Sequence, residues 1–287
     1  MGPSRLVPLS LLLGLSLFAA SRKIPSPRID TRVLHEDDCL TRTERQRDFP
    51  AVVRASGSSH FTAALVGPRV LLTAAHTVED DDNPILATHN EGQIACCDLH
   101  PDYSSDDGSS ADDSDLRRSS VDLALCRLAD PLQLTPQGAR YESISLGPYD
   151  ERTTLTVMGF GPTRRGGPTH TCLAFKKNVD IIRQASESHW IEVDACLTGG
   201  DSGGPAFMEE ARTSSRRIVG VNAKGPCSGE DDDGDYSLLT STSSPAISEW
   251  IQAWAKGEAT GQSCGAGEPV AICGVNASEG IPCQTLS

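Results

Sequence analysis

The hexapeptide Gly200-Asp201-Ser202-Gly203-Gly204-Pro205 sets a serine among glycines. A serine hydroxyl is a weak nucleophile until a neighbouring base takes its proton. A sharp glycine-rich turn would expose that hydroxyl and aim successive backbone N–H groups at a carbonyl oxygen becoming negative. Each such donor contributes about 3–4 kcal/mol in a transition state. Alone, the string is equally compatible with a plain turn, but two further segments change its meaning. Leu71-Leu72-Thr73-Ala74-Ala75-His76 ends an apolar run in a histidine, where a loop can present it at a cleft. Val121-Asp122-Leu123-Ala124-Leu125 embeds one carboxylate among apolar residues. An ionised carboxylate there is costly unless hydrogen bonds compensate it. Bonding to imidazole would satisfy it, fix the histidine tautomer and stabilise imidazolium. His76, Asp122 and Ser202, in that chain order, are the candidate base, orienting carboxylate and nucleophile.

Elements able to position these residues follow from the apolar pattern. FPAVVRA, HFTAALV, RVLLTAA, VDLALCRL, TTLTVMGFG, RRIVGVNA and YSLLTST are short runs of alternating or β-branched residues, broken by Gly, Pro and Asp. Gly67-Pro68 between two of them predicts a hairpin. One segment reads as helix: Ser244 as cap, Pro245 in the first turn, Ile247, Trp250, Ile251 and Trp254 at helical spacing, and Gly257 as stop. Many strands with one closing helix imply an all-β sandwich or barrel. Ala129 to Tyr141 reads as a linker between two halves, residues 22–48 are polar and basic without periodicity, and no internal repeat is visible.

Composition bounds the function. The formal net charge of -14 argues against a nucleic-acid partner, which requires clustered Lys and Arg. The acidic runs at 80–82, 106–115 and 229–235 read as solvated loops, with calcium binding or attraction of basic substrates as the alternative. Arg5, the apolar stretch Leu6–Ala20 and Ala19-Ala20-Ser21 together have the form of a signal peptide over 1–21, too short to span a bilayer comfortably. Ten cysteines, all beyond that segment, agree with export and disulfide pairing. No zinc site is expected, because there is no CxxC pair and the histidines are scattered. Asn276-Ala277-Ser278 is a potential glycan acceptor.

With these residues in view, the chain resembles the trypsin/chymotrypsin family of serine endopeptidases from roughly Val33 to Gly257. LTAAH, DLALCRL and GDSGGP match the family's three catalytic signatures, while HFTAAL, HPDY, GFG and DYSLLTS are weaker matches between and after them. The resemblance implies two antiparallel β-barrels with the triad at their junction: a first barrel over 49–140, a second with the carboxyl-terminal helix over 141–257, and a cysteine-containing tail over 258–287. The amino-terminal segment 22–48 is then a candidate short propeptide. The implied activity is a secreted, monomeric, cofactor-free endopeptidase acting on proteins or peptides, off the membrane once the signal is removed. It would work through an acyl-enzyme on Ser202, with Gly200 and Ser202 as oxyanion-hole donors.

The resemblance also implies a Cys196–Cys227 bridge beside the substrate pocket, and Cys39–Cys172 as a shifted tie between amino-terminal segment and second barrel. Two family bridges are lost as whole pairs, leaving Thr62 and Thr77 in one place and Leu155 and Met208 in the other. Cys96, Cys97, Cys126 and the tail cysteines are not paired by sequence. Asp194 resembles the pocket-floor carboxylate that selects Arg or Lys, with Gly225 and Gly234 keeping the pocket open. Counted without the insertion, Cys196 takes the floor and the preference becomes apolar, while Lys224 favours the acidic preference of glutamyl-type relatives. Three departures stand out: two extra residues in CLTGGDSGG, Ala223 where the family has a serine touching the catalytic Asp, and Lys224 where it has tryptophan. They keep open the rival of an inactive, protease-like binding module. In activated members the residue matching Asp201 pairs with a newly freed amino terminus. Here Arg32-Val33-Leu34 is the nearest cleavage candidate, and a pocket preformed without cleavage is the alternative.

Overall fold

Short, densely apolar runs bury side chains on both faces, which suits strands closed on themselves better than helices. The computed structural model describes residues 39–57, 59–79, 85–86, 92–104, 121–134, 139–150, 152–162, 172–184, 189–209, 215–225, 236–259, 264, 267–276 and 283. The expected signal peptide, the acidic runs, Cys227 and Gly234 lie outside those residues.

Strand β1 (Cys39–Leu40) and helix α1 (Arg42–Asp48) come first. Six strands then form one antiparallel sheet: β2 (Val52–Ser56), β3 (His60–Gly67), β4 (Val70–Thr73), β5 (Ile85–Leu86), β6 (Ile94–Leu99) and β7 (Ala124–Leu128), in the order β5-β2-β3-β4-β7-β6. A bridge between Ile85 and Gln93 joins the two edges and closes the sheet. The hairpin expected at Gly67-Pro68 joins β3 to β4.

A nine-stranded sheet takes β1 together with β8 (Ser143–Ile144), β9 (Leu155–Gly159), β10 (Leu173–Val179), β11 (Ile181–Gln184), β12 (Trp190–Val193), β13 (Pro205–Glu209), β14 (Arg216–Lys224) and β15 (Ser237–Ser241). Its order is β1-β10-β9-β13-β14-β15-β12-β11, with β8 parallel to β14. Because β10 runs into β11 through Asp180, the chain itself folds one edge towards the other. The fold is thus all-β, two curled antiparallel sheets with a carboxyl-terminal helix. Leu155 and Met208, the lost-bridge pair, face each other across β9 and β13.

Alternation along the strands divides the core. In β4, Leu71 joins Val53, Leu65 and Leu128 inside the first sheet. Val70 and Leu72 turn to the other side and meet Phe160, Phe207, Ile218 and Trp254 between the sheets and the helix. Helix α2 (Pro245–Lys256) buries Ile247, Trp250, Ile251 and Trp254, and Gly257 ends it with φ 75°, a left-handed conformation that glycine tolerates. Ser244 occupies the cap position, but its hydroxyl lies 3.1 Å from His189 Nδ1 and makes no capping bond.

Helix α1 was not expected from periodicity, since only Arg45 of its residues is buried. Its signal is local: Thr41 and Glu44 form a reciprocal capping box, the Glu44 carboxylate accepting the Thr41 N–H at 2.9 Å. The bridge Cys39–Cys172 is present, and the pairs open in sequence are Cys96–Cys264, Cys97–Cys126 and Cys273–Cys283. The described residues of the tail are built into the body. Cys273 donates its N–H to Val66 and accepts that of Ile144, while Val270 donates to Ala255 at the helix end. Asn276, the expected glycan acceptor, uses its amide nitrogen to donate to Val270 O at 2.8 Å and Ala255 O at 3.3 Å. That nitrogen is a structural donor in the folded chain, and a glycan on it would displace the tail.

Candidate active site

β4 carries the histidine. It runs fully buried to Thr73, then a 310 turn over Ala75–Thr77 tucks Ala75 and Thr77 inside and leaves His76 facing out. The antiparallel register explains its partner. Thr73 lies opposite Ala124 on β7, so Asp122, two residues earlier, comes level with the turn just past Thr73. Asp122 grips His76 twice, through Nδ1 at 2.6 Å and through the backbone N–H at 2.9 Å. An ionised carboxylate only accepts, so Nδ1 of the neutral ring carries the proton and Nε2 keeps its lone pair. The Asp122 side chain is 11% exposed and that of His76 36%, which places the pair at the edge of solvent rather than in the core. Burial opposes the imidazolium, but the Asp122 hydrogen bond and charge outweigh it and hold the His76 pKa above its ordinary value. Glu79 pushes the same way, and Lys224 against it.

The serine turn leads into β13, and hydroxyls hold it to the first sheet. Thr62 on β3 donates its hydroxyl to Gly200 O at 2.7 Å and its N–H to Ser202 O at 2.9 Å, and accepts the Phe160 N–H at 2.9 Å. Thr73 donates to Thr62 O at 3.1 Å and lies 3.2 Å from the Thr77 hydroxyl. The two threonines left by a lost family bridge are therefore still linked, through Thr73 rather than through sulfur. Gly203 has φ 80° and packs onto Thr73 and Thr62, where any Cβ would collide, so the turn sits directly against the strand that carries His76. The Asp201 carbonyl accepts Asn222 Nδ2 and the Gly204 N–H, both at 3.0 Å, which orients the next peptide and with it the Ser202 N–H. Among the described residues, the N–H groups of Gly200 and Ser202 have no acceptor within the chain. Asp201 itself is 0% exposed. Its carboxyl, penalised by burial, has its pKa pushed up to about 6.

Sequence reasoning missed three supports. Thr240 Oγ1 donates to the Asp122 backbone carbonyl at 2.9 Å, anchoring that residue from the second sheet where Ala223 has no hydroxyl to offer. Asn222 and Thr62 fix the serine turn. None of these has a local signal, because each contact spans a long stretch of chain. Of the residues expected at the pocket, Asp194, Cys196 and Gly225 are among the described ones. Gly225 packs against the Leu197 backbone, and Cys196 is disulfide-bonded. Asp194 is half-buried just past β12. Its N–H donates to Asp180 O at 3.0 Å, and Lys176 Nζ donates to its carbonyl at 2.9 Å, so a cation sits beside it. Among the described residues no cluster of three His, Cys, Asp or Glu side chains has the spacing of a metal site.

Comparison with curated proteins returned no match. The family model for trypsin matches residues 40–251, a span that contains every residue of the His76–Asp122 pair, the serine turn and their supports. With most of its length matched and both curled sheets in place, the chain belongs to the trypsin family.

Proposed function

We propose that this chain is a secreted serine endopeptidase. The observation that carries the proposal is the two-point grip of Asp122 on His76, which leaves Nε2 as the free base next to a serine turn with two unused backbone donors. Ser202 Oγ attacks the scissile carbonyl and its proton passes to His76 Nε2. The Gly200 and Ser202 N–H groups take the oxyanion, and Asp122 balances the imidazolium. Collapse breaks the C–N bond as His76 returns the proton to the leaving amine. Water then repeats the sequence on the acyl-enzyme, so no cofactor is needed. Export rests on the signal-like segment at 1–21 and on the disulfides.

For specificity we propose cleavage after Arg or Lys, with Asp194 as the pairing carboxylate and Gly225 and Gly234 along the pocket wall. A carboxylate facing a guanidinium favours basic over apolar side chains strongly. A second reading has its own support. Lys224 lies close enough to His76 for its charge to be felt there, and so would attract an acidic side chain bound alongside. A fluorophosphonate probe should label the mature protein on Ser202, and Ser202→Ala should abolish labelling. A properly processed protein that stays unlabelled would leave the chain a protease-like binding module. Peptides differing only in Arg, Leu or Glu before the scissile bond, tested on wild type and Asp194→Ser, then decide specificity. An Arg preference that survives Asp194→Ser removes Asp194 from this role, and faster cleavage after Glu transfers it to Lys224.

A further inference from the structure

Asp201 sits between the nucleophile and one of the two oxyanion donors, so whatever fixes its carboxylate fixes the turn. The carboxylate has no exposure to solvent and accepts three hydrogen bonds from its own chain. Oδ1 takes the Gly161 N–H at 2.8 Å, while Oδ2 takes the Thr198 N–H and the Thr198 hydroxyl, each at 3.0 Å. Asp201 answers with its own N–H to Thr198 O at 3.0 Å. Thr198 and Asp201 thus close a ring around Gly199 and Gly200, and the Gly200 N–H that would serve the oxyanion with that of Ser202 belongs to this ring.

Packing is tight as well on the side of Gly159 and Gly161. A Cβ on Gly161 would lie 2.6 Å from both Asp201 Cγ and Thr198 Oγ1, and one on Gly159 would lie 2.8 Å from Asp201 Cα and Cβ. An ammonium group pairing with Asp201 would compete with Thr198, lose its own hydration, and gain only a carboxylate already provided with donors. Thr198 Oγ1 also lies 3.2 Å from Pro162 O. The hydroxyl has one proton, which belongs on the carboxylate while Asp201 is ionised.

We infer that Thr198, carried on the insertion ahead of the glycine-rich turn, anchors Asp201 in place of a freed amino terminus, so that the serine turn is already built in the uncleaved chain. This rests on the reading of the chain as a serine endopeptidase. Thr198 is a positioning residue: it touches neither substrate nor reacting atoms, and acts by holding the peptide that ends in the Ser202 N–H.

The test compares the full secreted chain with a form that carries a tag ahead of residue 22 and Arg32→Gln, its uncut state verified by intact mass after the assay. Both should react with fluorophosphonate at rates within about twofold. Thr198→Val, which keeps the shape and removes the hydroxyl, should lower kcat about ten- to a hundredfold with KM little changed, the loss expected for one hydrogen bond to a charged acceptor. Thr198→Ser should restore the rate. Thermal melting of each variant separates loss of fold from loss of positioning, and the tagged form tests the inference even if Thr198→Val fails to fold. Labelling that begins only when a new amino terminus is made, or a folded Thr198→Val as reactive as wild type, overturns the inference and leaves the protease reading intact. Failure of every form to label Ser202 overturns both.

Discussion

Thr62 is the point at which the two halves of the site can be uncoupled by one substitution. Thr62→Val keeps the volume and the backbone N–H that serves Ser202 O, but removes the hydroxyl. The Gly200 carbonyl then loses a donor at 2.7 Å and the Phe160 N–H an acceptor at 2.9 Å, both in buried surroundings. A buried group left unsatisfied costs about 1–3 kcal/mol, so the pair together costs about 3 kcal/mol after partial relaxation. For a domain of this size that lowers Tm by about 6–12 °C. Reactivity should fall further than stability accounts for. With its carbonyl released, the Gly200 region no longer holds a fixed orientation, and one oxyanion donor is worth about a hundred- to a thousandfold in rate. Partial loss of that alignment predicts a drop of about tenfold or more in the second-order rate of fluorophosphonate labelling, an assay that needs no known substrate. Thr62→Ser retains the hydroxyl and should label at close to the wild-type rate. A Thr62→Val protein that melts within about 2 °C of wild type and labels equally fast would show that the hydroxyl does not hold the turn.

Labelling should rise with pH through a midpoint above 6.5, the ordinary histidine value, because Asp122 holds the His76 proton more tightly than water does. Lys224→Met should move that midpoint higher still, since a repelling charge is removed. A midpoint that stays put would separate Lys224 from the site. Asp201 gives the opposite kind of pH effect, on stability. The folded chain keeps the carboxyl proton up to about pH 6, whereas the unfolded chain releases it near 3.8. Stability from this group is therefore present at low pH and is lost as pH rises through that window, by about 3 kcal/mol in all. Urea unfolding of Ser202→Ala should show this fall between pH 4 and 6.5, and Asp201→Asn in the same background should not. If both lose stability in parallel over that range, the Asp201 carboxyl is not the group titrating. Asn276 should be bare in active protein secreted from a glycosylating host, and active material with an occupied Asn276 on a peptide map would contradict the docked tail.

The legible part of this protein was the part written locally. Val70–Thr73, Ala124–Leu128 and Ser237–Ser241 read as strands because their neighbours along the chain are apolar in strand-like patterns. Pro245 to Gly257 read as a helix because both ends and the buried stripe obey known rules. The closeness of His76 to Asp122 was legible for another reason: a carboxylate among leucines needs a partner, and a histidine at the end of an apolar run is a suitable one. What stayed hidden depends on folding first. Thr62 reaches Gly200 across 138 residues and Thr240 reaches Asp122 across 118, and nothing near either threonine announces it. The two extra residues before the serine turn read as a disturbance of the oxyanion rim, yet they include the anchor of Asp201. Helix α1 did carry a local signal, Thr41 with Glu44, which a search for apolar periodicity passes over.

The docked tail has a consequence for how the molecule is made. The partners that the described tail residues have in the body, among them Val66, Cys96, Ile144 and Ala255, precede them in the chain and leave the ribosome earlier. Until they arrive, Cys96 holds a free thiol next to Cys97, whose own partner Cys126 is only 29 residues away. The short loop closes at lower entropic cost than the 168-residue one. The nascent chain is therefore expected to close the hairpin bridge first and to carry one reactive sulfur until the strap is delivered. Whatever the serine turn requires, the chain passes through a stage, set by translation alone, in which the Cys96–Cys264 fastening is missing.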